Sequence, residues 1–308
     1  MNIYVHTLLA QNLRKTLLAG LSSEDTVYFR EGDESAAQEF CRKANLILGN
    51  VPAEWALEAE NLQLWQLDSA GFDKYKGIEL TARVANMGDW FARPCAETIV
   101  GGIMALYRGI DTLAVLKERS EWVGHALRPQ LKMLDRQHVV ILGGGTIGKA
   151  TREILSGFRC EVKTLARTSP DAELHSRADL LAELAYTDLV INTLPGTADR
   201  YVDEEFFVAM KPGSVYANVG RGNTTDEEAL LESLASGHLS GAVLDVTEME
   251  PLPEESPLWS TPNVILTQHT GGGQAREDFG KVELFIRNYR NVNANIAIEN
   301  EVDLRRGY

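Results

Sequence analysis

Two series of short apolar runs, separated by polar stretches of helical character, organise the chain. The first series is NIYVHTLL (2–9), TVYF (26–29), NLILGN (45–50) and LQLWQLDSAG (62–71). The second is HVVILGGG (138–145), EVKTLAR (161–167), DLVINTLPG (188–196), SVYANVGRG (214–222), GAVLDV (241–246) and NVILTQH (263–269). Runs this short and continuously apolar predict strands buried on both faces, and their alternation with helical segments predicts βα units and parallel sheets. Helices are expected over TIGKATREILSG (146–157), DEEALLESLASG (226–237) and the tail at 274–295. The segment CAETIVGGIMALYRGI (95–110) is apolar on too many sides for an exposed helix, which predicts burial between layers or domains.

Length sharpens this picture. A chain of 308 residues exceeds what one core usually serves, so two domains or one large α/β domain are expected. Six strands in the second series are what an open, doubly wound sheet needs.

Composition mainly excludes. Hydrophobic residues at 44% and charged residues at 24% are ordinary globular values. A formal net charge of −14 disfavours nucleic acid and anionic membranes as partners, because phosphate backbones call for a cationic face. No apolar run reaches the roughly 18 residues needed to span a bilayer. The N-terminus reads as a first strand, not a secretory leader. Cys41, Cys95 and Cys160 fit no metal-binding spacing, so reduced thiols, no metal and a cytoplasmic location are expected.

The first chemistry lies in the turn after HVVIL. Gly143-x-Gly145-x-x-Gly148 follows an apolar strand, opens a helix and precedes a second strand, which is the context a dinucleotide fingerprint requires. The first glycine permits the tight turn, the second admits a pyrophosphate to the backbone, and the third lets helix and strand pack closely. Thr146 and Ile147 open the helix, whose unpaired N–H groups favour phosphate. Leu194, Pro195 and Val219 follow later strands and join the expected cofactor contacts, with Asp245 a candidate for the nicotinamide amide.

NAD-binding versions place a carboxylate about 20 residues past the glycines to bond the ribose 2′-hydroxyl. Here Arg167, Thr168 and Ser169 stand there instead. A guanidinium flanked by hydroxyls attracts a 2′-phosphate, which favours NADP(H) over NAD(H). The competing reading is a solvated Arg167 with Asp171 reaching the ribose.

Three further residues suit reduction of a 2-keto acid. Arg221 can grip a carboxylate and polarise the adjacent carbonyl, His269 can donate a proton, and Glu250 can pair with the imidazole and keep it charged. In a doubly wound sheet the carboxyl ends of strands line one crevice, so residues far apart in sequence can converge there. Each alone is more often a surface or structural residue than a catalyst.

With these motifs in hand, the chain resembles the D-isomer-specific 2-hydroxyacid dehydrogenases. The likeness runs most clearly from about Val139 to Gly271 through GGGTIG, NTLPGT, MKPGSVYANVGRGNTTDEEALLESLASGHLSGAVLDV, EPLP, SPLW and NVILTQH, in that order. The resemblance implies a doubly wound Rossmann nucleotide-binding domain inserted in a flavodoxin-like substrate domain. The corresponding division is 1–97 for the first part of the substrate domain, 98–273 for the dinucleotide-binding domain, and 274–308 for a crossing helix and return. It also implies that Arg221 binds substrate, Glu250 supports the acid/base and His269 shuttles the proton. The backbone of Asn86, Met87 and Gly88 is expected to cradle the substrate carboxylate, and a homodimer contacting through the nucleotide domain is expected. Two departures stand out: Gln268 replaces the family's usual proline before the histidine, and TGGGQ follows it.

Within the family, Ala166-Arg167-Thr168 resembles the NADP-preferring glyoxylate/hydroxypyruvate reductases. The resulting expectation is an NAD(P)H-dependent reductase of small 2-keto acids, with NADPH favoured. A D-lactate or phosphite dehydrogenase remains a competing reading, as does a non-enzymatic nucleotide-sensing interaction protein.

Overall fold

The computed structural model describes residues 1–307. They form two compact units, one made of Met1–Phe91 and the described residues from Gln274 onward, the other of Ala92–Gly273.

In the first unit, β1 (Asn2–Val5), α1 (Gln11–Gly20), β2 (Thr26–Phe29), α2 (Glu34–Arg42), β3 (Leu46–Leu48), α3 (Ala53–Leu57), β4 (Leu64–Gln66) and β5 (Arg83–Ala85) follow one another. The sheet is parallel with order β2-β1-β3-β4-β5, the flavodoxin-like arrangement. Its strands explain the continuous apolar runs. Tyr4, Ile47, Trp65 and Val84 face one core, while Ile3, Val5, Leu46, Leu48 and Leu64 face the other, where the C-terminal helix Glu277–Asn293 supplies Val282 and Phe285. The short β5 forms the edge, and its Arg83 pairs with Glu301 at 3.0 and 2.8 Å.

The second unit begins with α4 (Ala92–Arg108) and α5 (Ile110–Glu118) and continues through β6 (His138–Leu142), α6 (Thr146–Ser156), β7 (Glu161–Leu165), α7 (Arg177–Leu184), β8 (Leu189–Asn192), α8 (Glu204–Ala209), β9 (Val215–Asn218), α9 (Glu227–Ala235), β10 (Gly241–Leu244) and β11 (Val264–Leu266). Its six strands are parallel in the order β11-β10-β9-β8-β6-β7. All six runs of the second series thus form strands.

The expected boundary after residue 97 falls inside α4, and the observed division comes at Phe91 and Ala92. The physical reason is that α4 packs along its length on α6 and the sheet of the second unit. A Cβ at Gly102 would strike the Val243 side chain on β10, so the glycine sets this close approach. The helix expected to run to Ile110 stops at Arg108, where Gly109 adopts φ +61° and turns the chain into α5. No single helix among the described residues is long and apolar enough to cross a membrane.

Candidate active site

The glycine turn is shaped as its sequence suggests. Gly143 has φ +107°, and a Cβ there would lie 2.7 Å from Thr193 Oγ1. A Cβ at Gly148 would collide with the Gly143 carbonyl, so this residue sets the contact between α6 and the turn. A Cβ at Gly145, by contrast, would meet nothing within 4 Å. The open space above Gly145 leads to the start of α6, whose N-cap has no side chain to occupy the first N–H groups. A cradle with free room at the middle glycine and uncapped amides beyond it fits a dinucleotide pyrophosphate. Thr146 and Ile147 form the first turn of that helix.

The segment expected to meet the adenosine ribose lies beside this cradle. β6 and β7 pair in register, Gly143 N–H donates to the Leu165 carbonyl at 2.9 Å, and a Cβ on Gly144 would touch Ala166 and Ser169. Arg167 and Thr168 are exposed there. The segment is braced from behind. Glu173 accepts from Thr164 N at 2.8 Å and from both terminal nitrogens of Arg152 at 2.9 and 2.6 Å, and Ala166 N–H donates to Leu174. Arg152 holds the Glu173 carboxyl down at about 2. Asp171, the competing ribose partner, lies within electrostatic reach of Arg152.

The remaining candidates sit at the ends of neighbouring strands. Leu194 and Pro195 follow β8, and Leu194 N–H is held by Asn192 Oδ1 at 2.9 Å. Val219, buried, and Arg221 follow β9. Gly220 packs so closely on the Leu194 backbone that a Cβ would not fit. The guanidinium of Arg221 donates to the Gly220 carbonyl at 2.8 Å, while its own carbonyl accepts from Thr224 Oγ1 at 2.6 Å. Gly222 abuts the Thr247 carbonyl, which draws the loop after β10 against the loop after β9.

His269, after β11, and Glu250, after β10, are in contact. The imidazole Nδ1 lies 2.6 Å from Glu250 Oε2, and Glu250 Oε1 accepts from Thr247 N at 3.0 Å. An ionised carboxylate only accepts, so Nδ1 carries the proton and Nε2 is the edge left for a substrate. Glu227 lies nearby, its carboxyl pushed up chiefly by burial, opposed by the hydrogen bond from Glu248 N–H and aided by the charges of Glu248 and Glu250.

Asp245 is tied to the loop that carries His269. Its side chain is buried, and Oδ1 accepts from Thr267 Oγ1 at 2.6 Å, Thr270 N at 3.1 Å and Gly271 N at 3.0 Å, while its carbonyl accepts from His269 N at 2.5 Å. The Gly271 carbonyl in turn accepts from Thr98 Oγ1 on α4 at 3.1 Å. Thr267, Thr270 and Thr98 therefore belong to the support of the histidine, and none was visible as such in the sequence. The available signal was strand register: β10 and β11 pair Leu244 with Leu266, which sets Asp245 opposite Thr267. Cys95 also lies within the fields of Asp245 and Arg221. Burial, with Asp245 adding and Arg221 opposing, pushes its thiol up to about 11, so it stays protonated and unreactive near neutrality.

Asn86, Met87 and Gly88 lie in the first unit, after β5. Their backbone N–H groups donate to the Asn300 carbonyl, the Ser69 carbonyl and Asn86 Oδ1 at 3.1, 3.0 and 2.9 Å. The expected amide cradle thus has its donors already engaged inside the unit.

A parallel α/β unit with this glycine cradle and an acid/base pair at its strand ends defines a dinucleotide-binding oxidoreductase. Comparison with known proteins gives the family: residues 100–271 match the model of the D-isomer specific 2-hydroxyacid dehydrogenase NAD binding domain, and the chain belongs to that family. Among its relatives is an uncharacterized protein in the proB 3′ region of Corynebacterium melassecola, 32% identical over 302 residues, covering 92% of this chain and 97% of that one. Glyoxylate/hydroxypyruvate reductase B of Serratia proteamaculans is 30% identical over 252 residues, covering 78% of this chain and 77% of the relative. The crystal structure of a D-isomer specific 2-hydroxyacid dehydrogenase from Xanthobacter autotrophicus Py2, in complex with NADPH and MES, superposes with a TM-score of 0.81 at 24% identity, covering 99% of each chain.

Proposed function

We propose that this enzyme reduces small 2-keto acids of the glyoxylate and hydroxypyruvate type to 2-hydroxy acids, with NADPH preferred and NADH accepted. The observation that carries the reading is the order of strand ends. The glycine cradle follows β6, the Arg167 segment β7, Arg221 β9, Glu250 β10 and His269 β11, all on one edge of one sheet. The reductase named among the relatives supports the substrate class, and the NADPH-bound neighbour agrees with the absence of a carboxylate at 167–169.

When bound, the reduced nicotinamide supplies the hydride. Arg221 binds the substrate carboxylate and stabilises negative charge growing on the adjacent carbonyl oxygen. His269 donates the Nε2 proton to that oxygen, and Glu250 steadies the imidazolium through Nδ1. Asp245 positions the His269 loop and is not assigned to the nicotinamide amide. The backbone N–H groups of residues 86–88 are engaged within their own unit, so no carboxylate cradle is assigned to them.

The enzyme is further proposed to work as a homodimer in the cytoplasm. α5 buries none of its residues within the chain, and Ile110, Leu113, Val115, Trp122 and Met133 are exposed in and after it, an apolar surface suited to a second copy. All three cysteines are unpaired, consistent with a reducing compartment.

The test is the initial rate of NADPH and, separately, NADH oxidation with glyoxylate, hydroxypyruvate, pyruvate and phenylpyruvate. Turnover of the two small acids with NADPH ahead of NADH is expected. Absent turnover with all four, despite NADPH binding, would overturn the reading.

A further inference from the structure

In the first unit the chain goes from β1 to β2 on one side and then returns past β1 to β3 on the other. The loops after β1 and β3 therefore leave in opposite directions. Such a switch point opens a crevice at the carboxyl ends of the strands. The unit has one there, a cavity of about 540 Å³ reached by His6 after β1, Arg30 after β2 and Asn50 after β3. This volume lies within the usual range for small-molecule sites. It is separate from the 86–88 loop, since β4 stands between β3 and β5 and sets their ends about 10 Å apart.

The lining has two characters. Val51, Pro52, Ala53, Trp55 and Tyr75 give an apolar floor. The rim carries two cations, Arg30 and Lys74, and two carboxylates, Glu31 and Glu34. Among the described residues these four form no ion pair with one another or with any other group. Lys74 Nζ lies over the Tyr75 ring at 4.8 Å, and Arg30 Nη1 donates to His6 Nε2 at 3.2 Å.

That last contact fixes the state of His6. A guanidinium only donates, so Nε2 accepts and the ring is neutral, with its proton on Nδ1 donated to the Tyr4 hydroxyl at 3.1 Å. Burial, with Arg30 and Lys74 adding and Asp68 opposing, holds His6 below its usual value. His6 is thus a neutral prop for the Arg30 side chain, which lines the cavity.

We propose that this crevice binds a free amino acid with an apolar side chain, its carboxylate on Arg30 and Lys74, its ammonium on Glu31 and Glu34, and its side chain on the apolar floor. A simple anion would meet the two rim carboxylates without any compensating charge. A phosphate would lack its usual seat, because the N-terminus of α2 is already capped by Asp33, which accepts from Ser35 N and Ala36 N at 3.0 and 3.3 Å. A zwitterion satisfies both signs of charge at once.

Titration calorimetry of the full chain with L-phenylalanine, L-leucine and L-alanine tests this, with 3-phenylpropanoate and 2-phenylethylamine as analogues lacking one charge each. Phenylalanine or leucine is expected to bind with Kd below roughly 1 mM, and alanine and both analogues about tenfold or more weaker. Arg30→Ala and Glu34→Gln should each weaken binding about tenfold, with thermal stability and NADPH affinity unchanged. Equal binding of 3-phenylpropanoate and phenylalanine would overturn the zwitterion assignment. Binding unaltered in both variants, or no heat from any amino acid, would overturn the site.

Discussion

His269 Nδ1 and Glu250 Oε2 are 2.6 Å apart, and the second Glu250 oxygen is tied to the Thr247 backbone. The carboxylate is thus fixed at one end before it fixes the imidazole. Half of the His269 side chain is exposed, so a charged partner at Nδ1 is the main constraint on the ring, with Nε2 the other edge.

Glu250→Gln removes the charge and keeps the shape, since an amide can still accept from Nδ1. Turnover should fall about 10²-fold or more, the scale of general acid catalysis, with little change in thermal stability. His269→Asn should cost at least as much. The double variant should be no worse than His269→Asn alone, because the two residues act as a unit. Additive losses in steady-state kinetics would show that they act separately.

Asp245→Asn tests the support beneath the loop. The amide keeps an acceptor at Oδ1 but loses the charge that Thr267 Oγ1, Thr270 N and Gly271 N share, and it turns a donor toward Gly271 N–H where Oδ2 now accepts at 3.2 Å, a loss of about 1–3 kcal/mol. Thermal stability and turnover should both fall while NADPH affinity holds. If Asp245 instead bonded the nicotinamide amide, cofactor affinity would fall with turnover, and fluorescence titration separates the two.

How far these contacts were legible in the sequence depends on what fixes them. β6 to β11 were readable because strands buried on both faces must be apolar throughout. β5 was not, being three residues of which one is Arg83, whose partner Glu301 is remote in the chain. The residue types at 221, 250 and 269 suggested an acid/base pair beside a cation, and His269 and Glu250 are in contact. The role of Asp245 did not show, because it depends on the register of β10 with β11. Nor did the engaged amides of 86–88, whose acceptors include Ser69 and Asn300.

Arg167→Ala should weaken NADPH about tenfold or more, the loss of one charge-assisted contact to phosphate, and NADH less than about twofold. Equal losses for the two cofactors would return the residue to the status of a solvated arginine and bring Asp171 forward.

Glu173→Gln carries a pH signature. The folded carboxyl lies at about 2 against a usual 4.5, held there chiefly by Arg152. A depressed folded value means the stabilisation is complete above the usual value and is lost as pH falls from there through about 2. The variant should therefore melt below wild type at neutral pH, and the two should converge near pH 2. NADPH affinity should weaken a few-fold at neutral pH, because Glu173 braces the segment that carries Arg167. Melting curves that stay parallel at every pH would rule out the ion pair as the source.

Gln268 and His269 have φ of +54° and +55°, two consecutive non-glycine residues in the left-handed region. Proline is confined near −65°, so the residue the family usually places before its histidine does not fit this backbone. The departure at 268 is therefore conformational: the loop reaches Asp245 through a left-handed pair that glutamine tolerates and proline cannot form. Gln268→Pro should displace His269 and lower kcat/KM about 10²-fold, the scale of an Ångström-sized misplacement of a reacting group, with NADPH affinity retained. Gln268→Gly, which adopts positive φ without strain, should keep the wild-type rate and stability. A fully active Gln268→Pro enzyme would mean that the working loop has negative φ at 268 and that the left-handed pair is not required for catalysis.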